Sequence, residues 1–508
     1  MSGSQMKQNG EHVPKEVTAI LDALHLTDEV QHELIAVCQR SFDLGLQPET
    51  HEDAAVKMLI SHVRLMPNGT ERGNYLALDM GGTNFRVLLT KFTGEGIEVV
   101  AVEKYHLPHD VRTGTSDQFF DYIADKLDHF IKTHFAKCES VTFPLSFTFS
   151  FPMEQRRLDS ADLLIWTKDF AVDGVVGKDV VALLQKAIAK KSLKLRTVAL
   201  LNDTVGVLMA GAYYDNDCKI GLIVGTGYNA AYVAPLSEVT RWTGDNDEPQ
   251  QVVIDTECGA FGDDGSLDFM RAEFDFDLDS QTLNKRNQIY EKMFSGKYMG
   301  EVARLILIKL AQQGVLFEGK VPDTLQQQWV FTTLFVSEIV EGDSGVQHSQ
   351  SQRILKSMGV DNPSTVDCKL VYKICCKLTE RGAILVAAAI AALLIRVKKS
   401  PVCGIGVDGS LFNEFPTFRN TMVKKLEELS PEYKARFLAV DDGSGIGAAV
   451  VAATVSSRAT RTFKKLTELS PEYKARFMAV DDDSDGIVRR KTTLRTACQQ
   501  VGWLNLIT

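Results

Sequence analysis

The chain has 508 residues, of which 44 % are apolar and 24 % charged, enough for about two to four globular domains. A net charge of −10 excludes a polyanion-binding surface, for nucleic acid or acidic lipid, as the main business of the molecule. Nine cysteines without a C-x-x-C pair, an N-terminus (MSGSQMKQNGEHVPKE) with no apolar core, and a longest apolar run of only residues 383–395 point away from a zinc cage, a secretory leader and a membrane span. A reduced, cytosolic protein is expected.

Residues 1–15 are polar and expected to be loose. Val17, Ile20, Leu21 and Leu24 then keep the spacing of one helical face, and Thr27 followed by Asp28 and Glu29 reads as the N-cap and acidic first turn of a second helix. A third helix is predicted from about Asp53 to Pro67, closed by an Asn68-Gly69 turn. At Tyr75 the texture changes: YLALDMGGTNFRVLLTKF reads as strand, Gly-Gly turn, strand. GLIVGTGYNAAYV, from Gly221, repeats that pattern, which predicts an internally duplicated fold with two similar halves facing each other. Between the hairpins lie helical stretches at 117–135 and 180–191 and a short strand, TVALLND, ending at Asp203; beyond them, helices are predicted at 288–313 and 370–399. Two further glycine punctuations follow, GIGVDGS at 404–410 and DDGSGIGAA at 441–449. Finally, KKLEELSPEYKARFLAVDD at 424–442 returns at 464–482 with 17 of 19 positions identical. Two copies do not make a solenoid. The tail from 459 to 508, which replaces the apolar continuation of the first copy with VRRKTTLR, is expected to be loosely attached.

Several nucleotide motifs are excluded. No G-x-x-x-x-G-K-[ST] and no H-R-D or D-F-G set is present, and GIGVDG, although it fits G-x-G-x-x-G, runs into LFNEFP rather than into an evident helix. The two hairpins are more informative together than singly, since either alone is an ordinary turn. Asp79 closes an apolar strand just before Gly81, Gly82, Thr83 and Asn84; glycines there let backbone N–H groups approach phosphate oxygens, and a carboxylate can hold Mg²⁺ through water. Thr226 and Gly227 occupy the second turn. Between and after them, Ser150, Thr167, Lys168, Asn202, Asp203, Asn229 and Glu257 stand at the ends of apolar runs. Carboxylates and amides gathered in apolar surroundings suit a ligand rich in hydroxyls.

These segments, LALDMGGTNFRVLL, FTFSFP with WTKDF, LLNDTVG, GLIVGTGYNAAY, ECGAFGDDG, YEKMFSGKYMGE, GVDGS and DDGSGIGAA, resemble in order and spacing the eukaryotic hexokinase–glucokinase family, in a single-unit form of about 50 kDa, from residue 16 to 456. The resemblance implies an α/β, actin-like (ribonuclease-H-like) sugar-kinase fold with a cleft between a large domain (16–73 and 203–440) and a small one (74–202 and 441–458). It implies transfer of the ATP γ-phosphoryl group to the 6-hydroxyl of a hexose, with Mg²⁺, by a cytosolic monomer without nucleic-acid partners; the N-terminus lacks the apolar helix by which some relatives dock on mitochondria. Sugar contacts would come from Ser150, Thr167, Lys168, Asn202, Asp203, Asn229, Glu257, Gln288 and Glu291, with Asp203 as general base and Lys168 beside the transferring group. Asp79 (to metal through water), Gly81, Gly82, Thr83, Asn84, Thr226, Gly227, Lys297, Thr333, Gly409, Ser410 and Ser444 would meet ATP. The sequence departs from the family pattern at Cys258 (Trp in the family), Asp169 (Gly), Leu334 (Arg) and 412–415, and the alternative of the same fold is a sugar-binding sensor that has lost turnover.

Overall fold

The structure, a computed structural model, describes residues 13–82, 84–135, 142–167, 170–343, 348–397 and 401–469, with backbone alone from 459 onward. Thirteen strands are described: β1 (Leu59–Ile60), β2 (Arg72–Met80), β3 (Asn84–Thr93), β4 (Ile97–His106), β5 (Phe143–Phe149), β6 (Met153–Arg157), β7 (Ser160–Leu163), β8 (Leu195–Leu201), β9 (Cys218–Val224), β10 (Tyr228–Pro235), β11 (Gln251–Asp255), β12 (Val402–Asp408) and β13 (Lys434–Ala439). One sheet runs β4-β3-β2-β5-β8 and the other β1-β11-β10-β9-β12-β13, while β6 and β7 form a separate hairpin.

Both predicted hairpins are present, β2–β3 and β9–β10, each antiparallel. In each large sheet the hairpin has one more antiparallel strand on one side, β4 or β11, and two parallel strands on the other, β5 and β8 or β12 and β13. The duplication read from two short glycine turns therefore extends to five strands of each sheet; β1, at the edge of the second sheet, has no counterpart in the first.

Each sheet has its own core. The helices Ser116–His134 and Val180–Lys190 cover one face of the five-stranded sheet, burying Phe119, Ile123, Leu127, Leu184 and Ile188. The helices Asp28–Leu46, Met299–Gln312 and Thr365–Val397 pack on the six-stranded one. Thr27 caps the first of these by accepting from Val30 N at 3.3 Å. Helix Thr365–Val397 is long and apolar enough to cross a membrane, but 89 % of its most apolar window is buried inside the protein. It also carries Arg381, whose guanidinium makes a bidentate pair with the buried Asp275 at 2.9 and 2.6 Å. It is a core helix, longer than the apolar run that announced it.

A third core joins the halves. Helices Asp203–Tyr214 and Gly443–Leu469 lie between the two sheets, where Val205, Leu208, Met209 and Ala448 to Ala453 meet Ala77 and Leu88 of one sheet and Ala231 and Val253 of the other. Their axes approach closely at two glycines. A methyl on Gly447 would overlap the carbonyl oxygen of Gly206, and one on Gly206 would lie 2.7 Å from Ser444 O.

Four local expectations are corrected. No helix forms over 53–67. The chain turns there, Met58 and His62 adopt φ of +49° and +56°, and β1 pairs along the sheet edge as Leu59↔Asp255 and Ile60↔Ile254; backbone pairing at an open edge outweighs local helical spacing. The 288–313 helix is broken into Ile289–Lys292 and Met299–Gln312, because Gly296 N and Lys297 N donate to Gly225 O and Thr226 O at 2.8 and 3.0 Å. GIGVDGS does lead into a helical turn, Ser410–Asn413, entered through Gly409 at φ +118°. The last helix passes residue 458, where the folded part was expected to end, and continues to Leu469. Residues 459–469 contain no glycine or proline to stop it. The rest of the duplicated tail lies outside the described residues.

The glycine crossing yields a test. Gly447→Ala forces two backbones apart and should cost about 1–3 kcal/mol or more, read as a clear fall in melting temperature. Gly96→Ala, with nothing within 4 Å of the added methyl, should stay within about 0.5 kcal/mol of wild type. A Gly447→Ala protein melting with wild type would show that the two helices are free to separate.

Candidate active site

Asp203 opens the helix that crosses between the sheets, directly after β8. Its N-cap is Asn202, whose Oδ1 accepts from Thr204 N at 2.9 Å and Thr204 Oγ1 at 2.7 Å. With that oxygen engaged, Asn202 Nδ2 points to Glu257 Oε1 at 3.3 Å. Glu257 itself sits at φ +53° immediately after β11. Asn229, on β10, uses Oδ1 for Ala230 N at 2.7 Å and Nδ2 for Asp255 Oδ1 at 2.8 Å. Four of the predicted sugar residues, Asn202, Asp203, Asn229 and Glu257, are thus brought into one cluster at the ends of β8, β10 and β11.

Gln288 and Glu291 join from the broken helix. Glu291 Oε2 accepts from Tyr228 N at 2.9 Å and would lie 2.7 Å from a methyl on Gly227, so this carboxylate closes onto the second hairpin turn. Gln288 has φ +60°, and its backbone N–H and that of Ile289 donate to Asp263 at 3.0 and 2.9 Å. Gly259 faces the Gln288 amide oxygen closely enough that any side chain there would collide. Ser150 is buried at the end of β5, and Thr167 lies half-buried in the loop after β7 beside Trp166, which stacks on Phe170 at 5.4 Å. Lys168, with Asp169, lies outside the described residues.

On the phosphate side, Asp79 ends β2 with its carboxylate buried. Its Oδ2 accepts from Arg86 Nε at 3.1 Å, from Arg86 Nη2, and from Ser444 Oγ at 3.0 Å. Arg86 also pairs with Asp442. Burial pushes the Asp79 carboxyl up, Arg86 and Ser444 pull it down, and the nearby charge of Asp203 raises it again. Gly81 N closes the turn on Asn84 O at 3.1 Å, with Gly82 beside it; Thr83 lies outside the described residues. At the second turn, Thr226 O accepts from Ser295 Oγ at 3.0 Å as well as from Lys297 N. A methyl on Gly225 would lie 3.2 Å from Gly409 Cα and 3.4 Å from Ser410 N, so the third glycine loop is stacked on the second. Thr333 is placed differently: it is buried, and its hydroxyl oxygen accepts from Gly300 N at 2.9 Å, an anchor between two helices. Leu334 is 62 % exposed, whereas Phe412 is buried and packs on Phe437 at 5.6 Å.

Among the described residues no cluster of three or more His, Cys, Asp or Glu could hold a metal alone. The donor set fits Mg²⁺ in another way, as a hard cation that keeps most of its water and binds through one carboxylate plus substrate phosphates. Asp79, at a glycine turn and within the field of Asp203, is the residue that would supply that carboxylate.

Four residues in the site were not singled out in the sequence. Arg86 holds Asp79, and Asp408 accepts from Gly409 N at 2.7 Å under the third loop. Asp263 sets the backbone at Gln288. Asp255 lies behind Asn229. Arg86 and Asp263 follow a glycine motif by one or two positions, and Asp255 and Asp408 are the last residues of β11 and β12; those were the available signals. Burial pushes Asp255 up to about 7, against the Asn229 hydrogen bond and with the charge of Asp203 adding to the rise; burial likewise lifts Asp263 to about 7.

A carboxyl raised in the folded state binds protons that the unfolded chain, near an ordinary 3.9, has released. Its contribution to stability is complete below about pH 4 and lost as pH rises through 7. Asp255→Asn removes that loss, so the melting temperature of the variant relative to wild type should climb between pH 5 and pH 8. A difference independent of pH would mean that Asp255 stays ionised throughout.

Comparison with known proteins agrees with this geometry. Two family profiles, both described as hexokinase, match residues 16–213 and 219–454. Hexokinase-2 of Homo sapiens is 42 % identical over 453 residues, covering 88 % of this chain and 48 % of that protein. Hexokinase-1 of Rattus norvegicus is 41 % identical over 447 residues, covering 86 % and 48 %. The chain therefore spans about half the length of these curated relatives. Among solved structures, the hexokinase from Schistosoma mansoni complexed with glucose superposes with a TM-score of 0.80 at 38 % identity, covering 86 % of this chain and 98 % of that one. A second crystal structure of a hexokinase gives 0.76 at 29 % identity, covering 87 % and 98 %. With both halves of the duplicated fold matched in full and in order, the chain belongs to the hexokinase family and has the family's actin-like sugar-kinase fold.

Proposed function

We propose that this protein is an ATP:D-hexose 6-phosphotransferase acting on glucose or a related hexose, the entry reaction of glycolysis. The observation that carries the reading is the placement of Asp203 at the head of a helix, flanked by the amide–carboxylate cluster Asn202–Glu257–Asn229 and, through Asp79, by the first phosphate turn. A hydroxyl-rich ligand lying on that cluster sets one hydroxyl against Asp203. The relative solved with glucose, alike over nearly its whole length, supports glucose as the probe.

A primary hydroxyl is a poor nucleophile. Asp203 accepts its proton as the oxygen attacks the γ-phosphorus in line and the bond to ADP breaks. Asn202, Asn229, Glu257, Gln288 and Glu291 hold the sugar; Ser150, Thr167 and Lys168 complete its contacts from the other half, with Lys168 beside the transferring phosphoryl group. The glycine turns that carry Gly81, Gly82, Thr83 and Asn84, and Thr226, Gly227, Gly409 and Ser410, border the phosphates. Asp79 would hold Mg²⁺ through water, and the cation would supply positive charge to offset that on the phosphate oxygens. Lys297 and Thr333 border the nucleotide, Thr333 by anchoring its helix, and Ser444 acts through Asp79. Because these groups come from two sheets joined by two helices, closure on sugar assembles the site and keeps water from taking the phosphoryl group. The seven described cysteines are all free thiols, in keeping with a cytosolic enzyme.

Asp203→Ala should lower kcat by about 10²–10⁴-fold in a coupled assay of glucose 6-phosphate, while glucose binding by calorimetry weakens only modestly. Retention of a third of wild-type turnover would remove Asp203 from the role of base. Saturating glucose should also reduce the radius of gyration in solution scattering, and at a hundredfold excess over Kd stabilise the fold by about 2.7 kcal/mol. ATP alone should do less; unchanged scattering with glucose would contradict closure.

A further inference from the structure

An asparagine that contacts a sugar is useful only when its amide is turned the right way, since Oδ1 accepts and Nδ2 donates. In this site both orientations trace to two buried residues without an assigned role. Thr204, fully buried, gives its backbone N–H and its hydroxyl proton to Asn202 Oδ1 at 2.9 and 2.7 Å, which leaves Asn202 Nδ2 facing Glu257. That hydroxyl has one proton, already given at 2.7 Å, so its oxygen faces Asn229 as an acceptor, 3.3 Å from Nδ2. The other Asn229 amide hydrogen goes to Asp255 Oδ1 at 2.8 Å. Asp255 is 4 % exposed, at the end of β11, and its strand partners Leu59 and Ala231 cannot ionise. The ionisable groups that face it are Asp203 from the helix and Glu257 and Cys258 from its own loop.

We propose that Asp255, together with Thr204, is a positioning residue for sugar recognition: a buried acceptor that orients the Asn229 amide, linked through Thr204 to the Asn202 amide. The inference rests on the hexose-kinase reading above and deepens it. A charged or polar acceptor buried here is costly unless it is used, and the hydrogen bond it accepts is the one that leaves Asn229 Oδ1 on the backbone of Ala230. Without it, the Asn229 amide is free to turn, and the sugar meets a mixture of donor and acceptor at that position.

Asp255→Leu removes the acceptor, whereas Asp255→Asn keeps one and removes only the charge. In the full chain, Asp255→Leu should raise the KM for glucose about tenfold or more, the loss expected when a buried donor is left unpaired, with kcat and the KM for ATP changed far less. Asp255→Asn should return the glucose KM to within about threefold of wild type. Thr204→Val, of similar shape, provides the same test should the leucine variant fail to fold, and should also raise the glucose KM selectively. The two effects should combine to less than their product in the double variant, because they act on the same amides. A folded Asp255→Leu or Thr204→Val enzyme with wild-type glucose KM would overturn the proposal, as would an Asp255→Asn enzyme as impaired as the leucine variant. Failure of the wild-type protein to bind or phosphorylate glucose would instead overturn the hexose-kinase reading, and this inference with it.

Discussion

Asp203 and Ser444 stand in the first turns of two helices that can lie this close only because Gly206 and Gly447 carry no side chain. The crossing decides where the chemistry takes place. One helix brings the carboxylate at its head to the end of β8. The other brings Ser444 onto Asp79 at the end of β2, and Thr148 Oγ1 of β5 donates to Ser444 O at 3.3 Å. A wider crossing would separate the proposed proton acceptor from the phosphate turn, and the two sheets would lose the thin apolar layer of valines and alanines that joins them.

The site is built on crowded negative charge. Asp79, Asp203, Asp255 and Asp408 converge from four strand ends; burial raises the first, third and fourth of these, and mutual repulsion contributes at Asp79 and Asp255. Arg86 is the main counterweight, binding Asp79 and Asp442 at once. Such an arrangement costs stability in the unliganded protein and would be relieved by a bound cation. The outer cores, by contrast, are apolar, apart from paired groups such as Arg381 with Asp275 and Arg304 with Glu301.

Three of the four departures from the family pattern, Cys258, Leu334 and 412–415, fall on described residues. Cys258 lies behind Glu257, buried, its thiol pushed up to about 12 by that burial; it is an inert packing group there, smaller than the tryptophan of its relatives. Phe412 lies against the edge strand β13, buried with Phe415, so these two rings belong to the apolar core, while Glu414 between them is exposed. Leu334 is exposed at the head of its helix, and nothing in the structure explains it.

The sequence by itself determined the elements whose signal is local. Two strand–glycine–strand hairpins, the Thr27 cap, the amphipathic helices at 116–134 and 180–190, and polar residues closing apolar runs were all legible, because alternation, helical spacing and turn chemistry act within a few residues. Read together as motifs, they also pointed to the family and to the cluster of Asn202, Asp203, Asn229 and Glu257. Only the tertiary structure decided the rest. Instead of the predicted helix at 53–67 the chain turns and contributes a two-residue edge strand, because β11 offered unpaired backbone. The helix at 288–313 broke because Gly225 and Thr226 claimed the amides of Gly296 and Lys297. Thr333 became an anchor because Gly300, lacking a side chain, lets the backbone of 331–333 approach closely enough for its N–H to reach the Thr333 hydroxyl. Asp255 and Thr204 gained their meaning from the two asparagines that face them across strands. Each of these outcomes depends on a partner far away in the chain, and a backbone or side-chain group whose partner is remote carries no periodicity by which it can be recognised in advance.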